Sequence, residues 1–173
     1  MGKITVAIYT TLDGVFESPS WTAPYWDEAL AKYQDEAQKA ADSLLLGRFT
    51  FEQFAKDWPD SRDEGAPYMN NIEKFVPTTR LDQTYWRANF IRHDAMNEIR
   101  RLTIKRSMLV YGSGKLVQGL FNNGLVDEYR EMVFPIILGE GRKLFDSPGK
   151  QFAFSKVESR VTPKGVLLNT YTR

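Results

Sequence analysis

Apolar residues change their spacing repeatedly along the chain, and each change marks an element. Residues 3 to 10, KITVAIYT, are β-branched and apolar and give way to Asp13-Gly14, which predicts a strand followed by an irregular loop. From Tyr25 to Ala41 the apolar positions Trp26, Leu30, Tyr33, Ala37 and Ala41 keep helical spacing, so one stripe, Trp26 included, is expected to face the core. The unbroken SLLLG that follows fits a strand covered on both faces, as in a parallel sheet. Phe51, Phe54 and Trp58 then predict a short helix ended by Pro59, and residues 60 to 71 are polar and turn-rich.

Downstream, EKFVPT and ANFIR are short strands flanking residues 80 to 87, Asp94 to Thr103 is a helix, and SMLVYG is again a buried strand. Leu116, Val117, Leu120 and Phe121 form a helix stopped by Asn123-Gly124, a suitable C-cap. VDEYREMVFPIIL is a longer strand closed by a turn at Gly139-Glu140-Gly141. QFAFSKVES and GVLLNTYTR alternate and are joined at Thr162-Pro163-Lys164-Gly165 as a hairpin. Strands alternating with helices and finishing in a hairpin predict an α/β fold: a mixed sheet with an antiparallel edge.

Composition narrows the chemistry. A chain of 173 residues fits one domain and is long enough to bury about 70% of its unfolded surface. Its 23 basic and 22 acidic residues nearly cancel, which gives no footprint for nucleic acid or an anionic membrane surface. With no cysteine and one histidine, His93, thiolate and His-based metal sites and a cysteine nucleophile are excluded, and a Ser-His-Asp triad is disfavoured; His93 is expected at the surface. No apolar run approaches a membrane span and no signal-peptide core precedes the first strand, so a soluble cytoplasmic protein is expected.

Three strand ends have the chemistry to face an anion. In LLLGRFTFE, Arg48 sits at a helix start, where partial positive charge opposes a cation by tenths of a kcal/mol up to about 1. Either Arg48 points into solvent or it shares an anion with the helix amides. In LVYGSGKLVQGLF, Gly112-Ser113-Gly114 lies between a strand and a helix and is either a tight turn or a phosphate cradle. A dinucleotide fingerprint would need glycine or alanine at Val117, and a Walker A loop would need glycine at Leu109 and a hydroxyl at Leu116, so neither standard motif is present. Between these two lies Val76-Pro77-Thr78-Thr79-Arg80, with two hydroxyls and a guanidinium after a strand.

In order, TTLDG, ADSLLLGRFTFE, PTTRLD, LVYGSGKLVQGLF, GLVDEYREMVFPIILGEGRKLF and the closing hairpin resemble the dihydrofolate reductase superfamily, and most closely the branch containing the riboflavin-biosynthesis reductase domain. The resemblance runs from about residue 3 to 173 and implies a single domain over 1–173, with a three-layer fold and a mostly parallel sheet of eight or nine strands. It implies NADPH as hydride donor, with the family's G-R-x-T phosphate motif falling on Gly47, Arg48 and Thr50. The 2′-phosphate segment falls on Thr78, Thr79 and Arg80, and the pyrophosphate loop on Gly112, Ser113, Gly114, Lys115 and Leu116. A homodimer is the family expectation.

The substrate half departs from the family. The helix carboxylate that holds a pterin in dihydrofolate reductases falls near Ala31, with Asp27 and Glu28 one turn earlier, which argues against folate. Thr11-Leu12-Asp13-Gly14 and Ser20-Trp21-Thr22 echo the riboflavin-pathway loop, but the lysine-bearing strand before it is absent and there is no deaminase domain. Asp13 is the candidate for substrate binding or proton supply, a plain turn being the alternative, and Trp21, Tyr25 and Trp58 are candidates for an aromatic wall around a planar small-molecule substrate. The expected activity is NADPH-dependent reduction of a small heterocyclic or carbonyl compound. The alternative is a non-catalytic NADP(H)-binding or regulatory module.

Overall fold

The computed structural model describes residues 1–146 and 149–173. Eight strands form one sheet: β1 (Ile4–Thr11), β2 (Ser43–Leu45), β3 (Glu73–Pro77), β4 (Ala88–Ile91), β5 (Met108–Val110), β6 (Glu128–Phe134), β7 (Lys156–Val161) and β8 (Leu167–Thr172). Their order is β4-β3-β2-β5-β1-β6-β8-β7. The first six strands in the chain run parallel, and β8 pairs antiparallel with both β6 and β7. This is the mixed sheet with an antiparallel edge that the alternation of elements predicts, and it is mostly parallel with eight strands, as the family resemblance implies.

Helices cover both faces. On one, α1 (Glu28–Lys39), α2 (Arg48–Asp57) and α3 (Ala66–Asn71) bury Leu30, Tyr33, Ala37, Phe51 and Met69 against Ala7, Leu44, Val76, Leu109 and Met132. On the other, α4 (Ala95–Leu102) and α5 (Gly114–Asn122) bury Ile99, Leu116, Val117 and Leu120 against Ile4, Val6, Leu45, Met108 and Val110. Alternate residues of each strand therefore serve opposite cores, which is why SLLL and MLV are apolar without interruption. No helix among the described residues is long and apolar enough to cross a membrane.

Several boundaries differ from the pattern reading. The stripe beginning at Trp26 starts later as a helix, because Asp27 caps it by accepting from the Leu30 amide at 2.9 Å. Trp26 thus lies outside α1 and is 37% exposed, not a core residue. The loop before it contains a 3-10 turn over Pro19–Tyr25, and the turn-rich 60 to 71 segment contains α3, opened by Pro67 in its first turn. Strand β6 ends at Phe134, before Pro135, which has no N–H to continue a ladder. Residues 151–154 are not strand; Phe152 and Phe154 fold onto Phe121 instead. His93 is exposed, as expected.

Beneath α3, Lys74 of β3 is fully buried. Its ammonium lies 3.9 Å from the Trp86 ring centroid and donates to the Asn70 carbonyl at 3.4 Å, while Trp86 Nε1 donates to Asn70 Oδ1 at 2.7 Å. Burial lowers the Lys74 pKa to about 8, from an ordinary 10.5. Between those two values the unfolded chain holds a proton that the folded one has released, so this residue's contribution to stability improves as pH rises. In urea denaturation, wild type should therefore gain on Lys74→Met between pH 8 and 10.5; a gap independent of pH would contradict the burial of the charge.

Candidate functional site

The parallel strands end along one edge of the sheet, and two of the three predicted anion-facing segments meet there. The chain winds one way from β1 through α1 to β2 and the other way from β5 through α5 to β6, so the ends of β1 and β5 mark a switch point. Beside it the Gly47 amide donates to the Gly112 carbonyl at 2.9 Å, which joins the β2–α2 turn to the β5–α5 turn. A Cβ on Gly47 would come within 2.6 Å of the Ser113 nitrogen, and one on Gly114 within 2.5 Å of the Phe16 ring. Gly112, at φ +134, is held where Thr50 Oγ1 would lie 3.1 Å from an added Cβ. Glycine is required at these positions because two backbones and a ring share the space a side chain would fill.

Both helices begin without a side-chain cap: Gly47 is the N-cap of α2 and Ser113 that of α5, whose hydroxyl makes no capping bond. Their first-turn amides are the orphan donors that an anion satisfies. Arg48 has a protein partner here, an ion pair from its Nη1 to Glu52 Oε2 at 2.6 Å on the next turn, with both side chains about one third exposed. This i,i+4 pair offsets the unfavourable position of a cation at the helix start. Lys115 is exposed, whereas Leu116 is buried in the α5 core, so only its backbone can face the edge.

The third segment follows β3. Thr78 is buried, its amide donates to the Ile91 carbonyl at 3.0 Å, and its Oγ1 accepts from the Arg80 amide at 3.1 Å. That local turn leaves Thr79 and Arg80 exposed at the same edge.

On the α1 side the predicted substrate residues divide. The Asp13 carboxylate accepts from Thr11 Oγ1 at 2.6 Å, from the Gly139 amide at 2.9 Å and from the Leu138 amide at 3.3 Å. The Thr11 hydroxyl and the Gly139 amide hold its pKa down at about 2. Asp13 therefore clips the loop after β6 to the turn after β1, and its carboxylate is engaged by these donors. Trp21 and Tyr25 do line an aromatic group, with ring centroids 5.4 and 5.8 Å from Phe134. Trp58 packs on Phe54, at 6.3 Å, and Phe54 on Tyr111, at 6.2 Å.

Between these groups lies a polar cluster that the sequence reading missed. Gln34 of α1 donates through Nε2 to the Tyr9 hydroxyl, Gln38 donates to the Tyr111 hydroxyl at 3.1 Å, and the Tyr68 hydroxyl donates to the Gln38 carbonyl at 3.1 Å. Burial raises the pKa of all three phenols, that of Tyr111 to about 12, so each stays neutral and able to donate. Gln34 Oε1 is the one buried side-chain polar atom without a hydrogen-bond partner among the described residues. The sequence did carry a signal: Gln34 lies four residues after Leu30 and beside Tyr33, a polar residue on the buried stripe. Tyr111, immediately before Gly112, and Tyr9, near the end of β1, place this cluster next to the glycine turns.

A cavity of about 400 Å³ lies on the other face, lined by Phe121, Tyr129, Phe154, Tyr171 and Glu131. None of the predicted site residues lines it.

Comparison with known proteins agrees with this architecture. The model of the RibD C-terminal domain matches residues 2–168. The chain is 25% identical over 180 residues to the uncharacterized protein YyaP of Bacillus subtilis, covering 98% of this chain and 94% of that protein. Among solved structures, it resembles a putative riboflavin biosynthesis protein from Shewanella sp. PV-4 with a TM-score of 0.77 and 22% identity, covering 100% of this chain and 99% of the other. It also resembles dihydrofolate reductase from Enterococcus faecalis, solved in complex with NADP(H), with a TM-score of 0.66 and 16% identity over 99% and 96% of the two chains.

Because the Gly47 contact is with backbone, it has little room to relax. Gly47→Ala is expected to destabilise the fold by about 2 kcal/mol or more, which a thermal or urea melt would read as a clear loss. An unchanged melt would mean that the two turns are not in contact.

Proposed function

The chain belongs to the family of the RibD C-terminal domain, a reductase-like module, and we propose that it is an NADPH-dependent reductase of a small heterocyclic or carbonyl compound. The observation that carries this reading is the pair of uncapped helix N-termini joined by the Gly47–Gly112 hydrogen bond. Their amides converge on one edge, and the glycines keep that edge open to backbone approach, which fits a diphosphate.

On this reading the amides of the Gly112–Lys115 turn and of the α2 start hold the pyrophosphate, with the Ser113 and Thr50 hydroxyls beside them. Thr78, Thr79 and Arg80 face the adenosine end, and Arg48 exchanges Glu52 for the 2′-phosphate. When bound, NADPH supplies the hydride. The chain's own residues orient the ring and the acceptor: Tyr9 and Tyr111 lie at the switch point, and Phe54 and Trp58 form the wall beyond them. A second reading, a binding module without turnover, is supported by the engagement of the Asp13 carboxylate with loop amides. Steady oxidation of NADPH with any member of a panel of pteridines, pyrimidines, quinones and aldehydes excludes it.

Titration is expected to give micromolar NADPH binding, much tighter than NADH, and Arg48→Ala should remove most of that preference. Glu52→Gln frees Arg48 from its ion pair and should strengthen NADPH binding without strengthening NADH binding. Equal affinity for the two cofactors in the wild type would refute the assignment.

A homodimer is part of the same proposal. Strand β7 has β8 on one side and no strand on the other among the described residues, and its Val157 and Val161 are 56% and 64% exposed. Antiparallel pairing with a second copy about Ser159 sets Val157 against Val161 and Glu158 against Arg160, a self-complementary arrangement. Light scattering should find a dimer, and Val157→Lys combined with Val161→Lys should give a folded monomer; a wild-type monomer overturns this part.

A further inference from the structure

The cavity on the α4 and α5 side of the sheet takes no part in the glycine-turn edge, and its lining has a definite chemistry. Rings supply most of the wall: Phe121 of α5, Tyr129 of β6, Tyr171 of β8, and Phe145 and Phe154 from the connection between β6 and β7. Tyr129 stands among them, its ring centroid 5.6 Å from that of Phe121, 5.8 Å from Tyr171 and 6.2 Å from Phe154. The same connection is tied to α5 at two places. Gln118 Nε2 donates to the Leu144 carbonyl at 2.6 Å, and the Lys150 amide donates to Asn122 Oδ1 at 2.9 Å.

Glu131 is the one carboxylate in that wall, and among the described residues no Lys, Arg or His forms an ion pair with it. Its partners are neutral: Thr10 Oγ1 donates to Oε1 at 3.3 Å, the Tyr129 hydroxyl to the same oxygen at 3.5 Å, and the Asn169 side chain also bonds the carboxylate. Burial raises its pKa from the ordinary 4.5. Glu128, on the opposite face of the same strand, shows the contrast: Lys3 and Arg130 pair with it at 2.7 and 2.6 Å and, against the effect of burial, hold its pKa down. A desolvated carboxylate without a counter-ion is unfavourable and ring faces carry negative charge, so both draw a cation into the cavity. The protein's own cations stay at its margin. Arg173 lies 5.8 Å from the Phe152 ring and donates to the Gly124 carbonyl, and Lys150 is exposed, tethered to the last residue of α5 where the chain turns toward the start of β6. An occupant therefore brings its positive charge to the Glu131 end and turns a neutral or anionic group toward Lys150.

We propose that this cavity is a second binding site, separate from the cofactor edge, for a small organic ammonium ion, with Glu131 as its counter-ion and the rings of Tyr129, Phe154 and Tyr171 as its walls. A volume of about 400 Å³ holds such an ion. A quaternary or N-methylated head suits the site best, because it has few N–H groups to satisfy and gains from the ring faces what it loses in water. A neutral compound of the same shape fills the space but leaves the carboxylate uncompensated, and an anion meets Glu131 directly. No step of the proposed hydride transfer runs through this cavity, so the ammonium site does not depend on the reductase reading.

The test uses the full chain and three probes of one shape: choline, a cation; 3,3-dimethylbutan-1-ol, its neutral isostere; and 3,3-dimethylbutanoate, an anion. Calorimetry at low ionic strength should show choline binding at least tenfold tighter than the alcohol, with the anion weakest. Glu131→Gln should weaken choline at least tenfold without weakening the alcohol or lowering the thermal melt, since it removes an uncompensated charge. Lys150→Ala, at an exposed position, removes the opposing charge from the margin and should tighten choline about twofold while leaving the alcohol unchanged. No binding of choline, equal binding of choline and the alcohol by the wild type, or an unchanged ratio of the two in Glu131→Gln overturns the proposal. Weaker choline binding in Lys150→Ala overturns it as well, and that variant reads the sign of the charge effect even where Glu131→Gln melts early. NADPH affinity measured on the same samples decides the reductase reading alone.

Discussion

The hydrogen bond from the Gly47 amide to the Gly112 carbonyl ties together two turns that are 65 residues apart in the chain and side by side at the end of the sheet. It exists because β2 and β5 are neighbours in register, Ser43 beside Met108 and Leu44 beside Leu109, so both strands reach the edge together. Each then turns into a helix, and at such a distance only glycine leaves room for the other backbone. The convergence of two sets of orphan amides, on which the proposed cofactor site depends, is thus a consequence of strand register. The buried apolar faces of β2 and β5 hold that register, because a slip by one residue would turn each face to the wrong core.

The two faces of the sheet have different work. On the α4 and α5 side the packing is aliphatic near the centre and aromatic toward β6 and β8, and it anchors α5 so that its N-terminus stays aimed at the edge. On the α1 side the core is interrupted next to the switch point by phenols and amides, where a purely apolar surface would give better packing. The amide oxygen of Gln34, left without a hydrogen-bond partner, is the clearest mark of that interruption. Asp13, the acidic group nearest in sequence to the end of β1, serves instead to lock two loops together. What remains beside the turns is a neutral floor flanked by aromatic rings.

Element types were legible wherever local physics and tertiary packing agree: the strand–helix alternation, the Phe51, Phe54 and Trp58 face of α2, the Asn123-Gly124 stop of α5 and the hairpin turn at 162–165. Hydrophobic spacing misleads where a cap or a proline overrides it. Trp26 fitted the helical stripe, but the Asp27 cap placed it outside the helix; VFPIIL looked like continuous strand, but Pro135 ended the ladder. Phe152 and Phe154 alternate like a strand and instead fold back onto Phe121, an aromatic contact between distant residues that no local pattern reports.

By itself the sequence determined the period of each segment, the glycines at the strand ends and the ordered motifs that mark the family, because these rest on backbone geometry and on side-chain spacing within a few residues. Partnership between distant residues was decided only by the tertiary structure. Arg48 pairs with Glu52, Asp13 with the amides of Leu138 and Gly139, and Gln34 with Tyr9. The Arg48 pair was within reach of an i,i+4 count, but the other two join residues 25 to 126 positions apart. A carboxylate or an amide acquires its role from the groups that the fold brings to it, and that placement follows from strand order and register rather than from the residue's neighbours in the chain.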